Sequence, residues 1–363
     1  MTRDIDGHHD RTRNNIMFLC KESELTRERQ GYYKAFTDLG INVICSGNIT
    51  SIAEVDLTHT LLILQPDIAD VLPFDIFKST VPTACFQIDT NNGLLKRAKS
   101  SALFDVAFVF HPGYESYFKQ HGQPDTYLLP HAIERDLFQL VSVADRQFQV
   151  GWVGRTDGNN YSIRRRILPL LQQNFIINDP FKQYSQRELI DIYSQSKVVV
   201  NISKDDYLKD ANIRCFEAMA SGALLLTFMP SELTSFGFVE GEHFIGFENE
   251  FELIEKIKYY VGREEERNHI AQSAQFMVLA NHTYHNRAES ILKYLRDKEF
   301  RNKQIDEQLQ YGLMVYFFVF KRSFLKALIA FRKIRLMSGY KIQASIYLLK
   351  LFVSKKIRKE SFV

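Results

Sequence analysis

The chain has 363 residues, of which 45% are hydrophobic and 25% charged, as expected of a globular protein with about two domains. Its four cysteines are scattered without paired spacing, which argues against a disulfide framework or a zinc site and favours the cytoplasm. Residues 1–15 lack an apolar core, so we expect no signal peptide. The net charge of +3 conceals an asymmetry. Residues 301–363 carry 14 Lys and Arg against three Asp and Glu, which leaves −8 for the remainder.

The first half of the chain alternates between strand-like and helix-like segments. Apolar, β-branched runs predict strands at 15–20, 41–45, 60–64, 81–88, 105–110 and 126–129. Helix-forming runs lie between them, for example at 24–39 and 114–120. This alternation predicts βαβ units and a parallel sheet. No Gly-x-Gly-x-x-Gly follows the first strand, so a plain dinucleotide site is not expected there.

Three polar residues stand just past predicted strands of this half. Asp89 ends CFQID, His111 ends AFVFH, and His131 lies in LLPHAI. Because the carboxyl ends of parallel strands face the ligand crevice, all three are candidate site residues. Aspartate and histidine also cap helices and complete loops, and that interpretation stays open for each of them.

The second half begins after a polar segment at 139–148. A buried strand is predicted at 149–154 and ends at Gly154 and Arg155, before a turn-rich loop and a helix that carries three arginines at 164–166. A strand at 174–178 and a helix at 186–195 follow. Later come a strand at 243–247 and a helix at 250–261.

The central segment of this half is a strand–loop–helix–strand unit. Strands are predicted at 197–203 and 223–228, with a helix at 212–221 between them. Asn212 can cap this helix, whose free N–H groups form an anion site. Arg214 and Glu217 are three residues apart, on nearly one face. A guanidinium suits phosphate and a carboxylate suits paired sugar hydroxyls, although both side chains could simply be solvated.

The segment NIRCFEAMASGALLLTF resembles the nucleotide-sugar signature of group 1 glycosyltransferases, in the pattern N-x-R-x-F-E-A-x-A-x-G-A of the spore-maturation-protein-like branch. LPHAIERDLF resembles the family's link out of its first domain, and the resemblance covers about 104–292. It implies the GT-B fold, with two Rossmann-like parallel-sheet domains facing a cleft. We expect an acceptor domain at 1–140, a nucleotide-sugar domain at 141–300 and a basic helical tail at 301–363.

The resemblance also implies roles for the candidate residues. Gly154, Arg155, Asn212 and Arg214 would lie against the donor diphosphate, assisted by one arginine of 164–166, without a metal ion or cofactor. Glu217 would hold the ribose hydroxyls, and the closing-helix residue His282 would be scaffold. Asp89 or His111 would contact the reacting sugar or take the acceptor's proton, with His131 in the acceptor site or cleft.

One departure concerns the stereochemistry. Many retaining members carry a glutamate eight residues before the one matched by Glu217, and here that position is Lys209. The choice between retention and inversion therefore stays open.

The segment 308–363 is an addition to this pattern. Its apolar run at 311–320 is too short to span a bilayer, and the continuation is amphipathic, basic and aromatic. We expect either a helix on an anionic membrane surface at the inner face, or a hairpin packed against the catalytic domains or another subunit. Nucleic acid is not an expected partner.

Three functions are compatible with these features. The favoured one is an enzyme that moves a sugar from a nucleotide-sugar to a cell-surface glycan, a lipid-linked acceptor or another acceptor. The second is a nucleotide-sugar epimerase of the same fold. The third is a non-catalytic binding protein that docks at a membrane through its tail.

Overall fold

A computed structural model of the chain describes residues 13–67, 70–138, 146–300, 306–334, 341–346 and 348–349. The chain forms two compact units, one made of Met1–Leu129 with Glu289–Val363 and the other of Pro130–Ala288. These units differ from the domains predicted at 1–140, 141–300 and 301–363, because the second unit already begins at Pro130 and the first regains the chain from Glu289. The predicted boundary at 139–148 lies mostly outside the described residues.

The first unit is built on a six-stranded parallel sheet in the order β2-β1-β3-β4-β5-β6. All six predicted strands are present. The four inner strands are apolar runs that are largely buried on both faces of the sheet, and the two edge strands are only partly buried. The elements are β1 (Asn15–Phe18), α1 (Glu28–Asp38), β2 (Asn42–Cys45), β3 (Thr60–Gln65), β4 (Thr83–Gln87), α2 (Leu94–Ser101), β5 (Val106–Val109), α3 (Glu115–Gln120) and β6 (Thr126–Leu128).

The second unit contains a four-stranded parallel sheet in the order β10-β9-β8-β7. Helices pack on both faces of it, and this arrangement confirms the predicted α/β class. The elements are β7 (Phe148–Gly151), α4 (Ser162–Asn174), α5 (Gln186–Ser194), β8 (Ser196–Asn201), α6 (Ile213–Ala220), β9 (Leu224–Phe228), β10 (Ile245–Phe247), α7 (Glu250–Val261), α8 (Glu264–Asn281) and α9 (Tyr284–Asp297), the last of which ends in the first unit.

The strand predicted at 174–178 is wrong. Helix α4 continues to Asn174, and only Ile177 forms a single bridge with Val150. The Asn178 side chain takes the place of a ladder, since its Oδ1 accepts from Trp152 N at 2.9 Å and its Nδ2 donates to Trp152 O at 2.8 Å.

The segment that follows β6 and the start of α9 are held together by hydrogen bonds within the second unit. Ile133 N donates to His282 O at 3.0 Å, and Arg287 donates to the carbonyls of Pro130 and His131 at 2.9 and 3.2 Å. These bonds explain why the second unit begins at Pro130 and not at the predicted boundary.

Two tail helices, α10 (Glu307–Phe320) and α11 (Phe324–Arg332), pack into the first unit. The Phe318 ring is fully buried and lies 5.5 Å from the Phe74 ring, and Tyr311 lies 5.6 Å from Phe77. Of the two arrangements expected for the tail, a helix on a membrane surface or a packed hairpin, these two helices form the packed hairpin. Among the described residues, no helix has the length and apolarity needed to cross a membrane.

Candidate functional site

The second unit gathers several predicted residues where β7 and β8 end. Gly154 lies three residues beyond β7, and a Cβ placed on it would meet the Trp152 ring at 3.1 Å and Arg214 Nη1 at 3.3 Å. Glycine at 154 therefore permits the close approach of the Arg214 guanidinium to the backbone of this loop. The structure thus brings Gly154 and Arg214 together, as the sequence analysis expects.

Arg164 is the arginine of the 164–166 run that lies in this region. It is only 2% exposed, its Nε donates to Ile202 O at 2.7 Å, and its Nη1 donates to Arg155 O at 2.6 Å. Its guanidinium also stacks on the Tyr161 ring, 4.2 Å from the centroid. These contacts fix one positive charge between the ends of β7 and β8.

The charge of Arg214 acts on Arg164. Burial, and then the nearby Arg214 charge, lower the pKa of Arg164 to about 9, so its side chain remains charged at neutral pH. Among the residues that the structure describes, none accepts a hydrogen bond from the Arg214 guanidinium. Two neighbouring cations, one of them with open donors, form a place that an anion would stabilise.

Asn212 caps α6 and fastens it to β8. Its Oδ1 accepts from Arg214 N at 3.1 Å, and its Nδ2 donates to Ser203 Oγ at 2.7 Å and to Asn201 Oδ1 at 3.0 Å. The capping predicted for Asn212 is therefore present. The positive end of the α6 dipole and the Arg214 side chain belong to the same turn of chain.

Two residues that hold the loop between β8 and α6, Tyr207 and Glu232, were not identified from the sequence. Glu232, which follows β9, accepts hydrogen bonds from Tyr207 Oη and from Ala211 N, and its own N–H donates to Lys209 O at 2.9 Å. Glu232 is 4% exposed. Its position after a strand end is a signal that could have identified it, but its partners lie more than 20 residues away.

Arg155 is placed differently from Arg214. Its side chain is 67% exposed and forms an ion pair with Asp157 at 3.0 Å, which raises the pKa of Arg155. Its backbone carbonyl, in contrast, binds Arg164. In this structure the 155 position therefore contributes to the arginine pair through its backbone, while its side chain lies in the exposed loop.

Glu217 lies on α6, one turn after Arg214, and is 1% exposed. Nearly the whole of α6 is buried, because it packs on the core that also includes α5 and α8. The spacing that puts Glu217 and Arg214 on nearly one face of the helix is confirmed, while the Arg214 side chain is the more accessible of the two.

Asp89 and His111 belong to the first unit. Asp89 is exposed and follows β4, and His111 is 3% exposed and follows β5. Since β4 and β5 are neighbours in a parallel sheet, the two residues stand at the same edge. His131, in contrast, is buried in the second unit, where its carbonyl accepts from Arg287.

Residues 165–293 match a family model described as glycosyl transferase-like. No curated protein matches the chain. The fold is similar to those of several solved structures, each of which is aligned over 78% of this chain. One is sucrose-phosphate synthase from Thermosynechococcus elongatus, with 14% identity, 99% of its chain covered and a TM-score of 0.56.

Two further structures were determined with ligands. Anabaena HepE in complex with UDP and glucose has 13% identity, 100% of its chain covered and a TM-score of 0.55. T4 phage BGT in complex with its UDP-glucose substrate has 13% identity, 99% covered and a TM-score of 0.53. The similarity confirms the GT-B fold, and the family match confirms the prediction of a glycosyltransferase.

Proposed function

We propose that this glycosyltransferase takes a sugar from a uridine diphosphate sugar and transfers it to a hydroxyl of a glycan or lipid-linked acceptor. The observation that carries the proposal is the pair formed by Arg164 and Arg214 beside the capped start of α6. This arrangement offers a diphosphate two cations and the N–H groups of a helix terminus.

The arginine pair would act when the bond between the sugar and the diphosphate breaks. Negative charge then grows on the leaving diphosphate, and fixed donors stabilise that charge without reorganisation. Arg214 has open donors for direct contact, while Arg164 is held in place by two carbonyls. Because these cations supply positive charge, we propose transfer without a metal ion.

Uridine is proposed as the base because HepE was solved with UDP and T4 phage BGT with UDP-glucose. Glu217 would bind the ribose hydroxyls, as the resemblance implies. Asp89 or His111 would take the proton from the acceptor hydroxyl, which requires only that one of them be unprotonated. Residues 308–363 would attach the enzyme to the inner face of a membrane.

Thermal unfolding in a panel of nucleotides and nucleotide-sugars tests the donor site. A ligand at about 100 times its Kd stabilises the folded state by about 2.7 kcal/mol, which shifts the midpoint by several degrees. We expect UDP and one or more UDP-sugars to raise the midpoint, and adenosine or guanosine diphosphates to raise it less. A panel without any shift would contradict the proposal.

Glu217→Gln provides a second test of the same site. The amide is nearly isosteric with the carboxylate, so the fold should be retained while ribose recognition weakens. We expect the UDP-induced shift to shrink and the shift caused by inorganic diphosphate to persist. Equal UDP affinity in the variant and the wild type would remove Glu217 from the site.

A further inference from the structure

The tail leaves two short rows of apolar side chains exposed. On α11, Leu325 is 68% exposed and Ile329 is 38% exposed, while Ala327 and Ala330 on the opposite side are fully buried. Residues 341–346 and 348–349 are helical again, and their exposed apolar residues are Ile342, Ile346 and Leu349. We call these five exposed residues the tail face.

The start of the second helical stretch is bonded to the end of α11. Lys341 Nζ donates to Phe331 O at 2.7 Å and to Ile334 O at 3.2 Å, so the second helical stretch begins at the end of α11. In each part the exposed residues are three or four apart and therefore share one side of a helix. Ala344, which faces the other way, is 2% exposed.

The charged residues in the tail sequence from 308 to 359 have one sign. From residue 308 to residue 359 the sequence contains 12 Lys and Arg and no Asp or Glu. Two of these cations are used inside the first unit, since Lys321 pairs with Asp67 and Lys326 with Asp70. Arg322, two residues before α11, and Arg332, the last residue of α11, are exposed.

We infer that the tail face docks on a membrane surface that contains anionic lipids. An apolar row flanked by arginines matches the boundary between acyl chains and negative headgroups. A second copy of the chain fits less well, because burying the face against itself would bring the arginines together without acidic partners. A nucleic acid would match the charge and leave the apolar row in water.

This inference rests on the membrane attachment that we propose, and it is independent of the donor site. It also gives different roles to α10 and to the residues from Leu325 onward. Helix α10 holds the hairpin on the first unit, and the face that begins at Leu325 contacts lipid. Neither element has to span the bilayer.

Flotation of the full-length protein with vesicles tests the inference. We expect binding to vesicles of equal phosphatidylglycerol and phosphatidylcholine, little binding to phosphatidylcholine alone, and release by salt. Leu325→Gln combined with Ile329→Gln should weaken binding at least tenfold, because two side chains lose their apolar contact. Arg322→Gln and Arg332→Gln should each weaken it about fivefold.

Phe276→Gln in the second unit is the matched control, because Phe276 is 77% exposed and lies outside the tail. Its vesicle binding should equal that of the wild type. Wild-type binding in the Leu325/Ile329 variant, equal binding to neutral vesicles, or no vesicle binding would overturn the inference. A dimer that this variant converts to a monomer would overturn it too, in favour of self-association. The UDP-induced thermal shift, measured on every variant, reports the donor site separately.

Discussion

Replacement of Arg214 by glutamine should separate function from stability. No described residue accepts a hydrogen bond from its guanidinium, and the removal of its charge relieves the repulsion that lowers the pKa of Arg164. We therefore expect the free energy of unfolding to change by less than about 1 kcal/mol, as for side chains without buried partners. The fold of the second unit should be unaffected.

The effect of Arg214→Gln on catalysis should be much larger than its effect on stability. Hydrogen bonds from a charged donor to a bound group stabilise by about 1.5–3 kcal/mol, and each 1.36 kcal/mol is a factor of ten. Loss of Arg214 from the leaving diphosphate should thus lower kcat/KM about 10- to 150-fold. The assay is release of UDP from the UDP-sugar that gives the largest thermal shift.

Arg166→Gln is the matched control, because Arg166 lies on α4 near Arg164 but is 59% exposed and forms a surface ion pair with Glu250 at 3.2 Å. Its kcat/KM should stay within about twofold of the wild type, since surface ion pairs contribute little. A wild-type kcat/KM in the Arg214 variant, with the expected value in the control, would refute the placement of the diphosphate at Arg214.

Three further changes test other parts of the molecule. Lys321→Met removes one of the two cations that pair with the buried Asp67 carboxylate, and it should lower the free energy of unfolding by about 2 kcal/mol. Lys326→Met removes the cation of the half-exposed pair with Asp70, and it should have less than half that effect. Urea titrations measure both. Burial, and then the Arg287 charge, lower the pKa of His282 to about 3, so stability should fall as pH drops below 6.5, by about 2 kcal/mol at pH 5. His282→Asn should flatten that dependence, and an unchanged slope would contradict it. Asp89→Asn should abolish transfer while the UDP-induced thermal shift persists, and full activity would exclude Asp89 as the base.

The sheets could be predicted because their strands are short apolar runs with clear ends. The segment 174–178 has a similar composition, but the amide of Asn178 binds the backbone of Trp152 and leaves only one bridge. A side chain that takes the place of strand-to-strand hydrogen bonds cannot be identified from the neighbouring sequence, so this error could not be corrected from the sequence alone.

The arginine run at 164–166 shows what periodicity could have added. Arg164, Ile167, Leu168 and Leu171 are the buried residues of α4, spaced as one helical face. That pattern singles out Arg164 over its two exposed neighbours. The partners of Arg164 are the carbonyls of Arg155 and Ile202. They depend on the conformation of the loops after β7 and β8 and could not be predicted.

The tail illustrates the opposite limit. Its basic residues could be counted from the sequence, but two of the lysines contact Asp67 and Asp70, more than 250 residues away. Contacts of this separation depend on the whole fold. The composition therefore predicted an amphipathic segment correctly without showing which cations remain exposed.

The proposed transfer from a UDP-sugar bound at Arg214 is tested most directly by release of UDP from UDP-sugars by the purified wild-type protein, compared with Arg214→Gln at equal concentration. We expect release from one or more UDP-sugars, stimulated by an acceptor and reduced about 10- to 150-fold in the variant. Equal rates in both proteins, or no release from any UDP-sugar by a folded wild type, would contradict the proposed transfer.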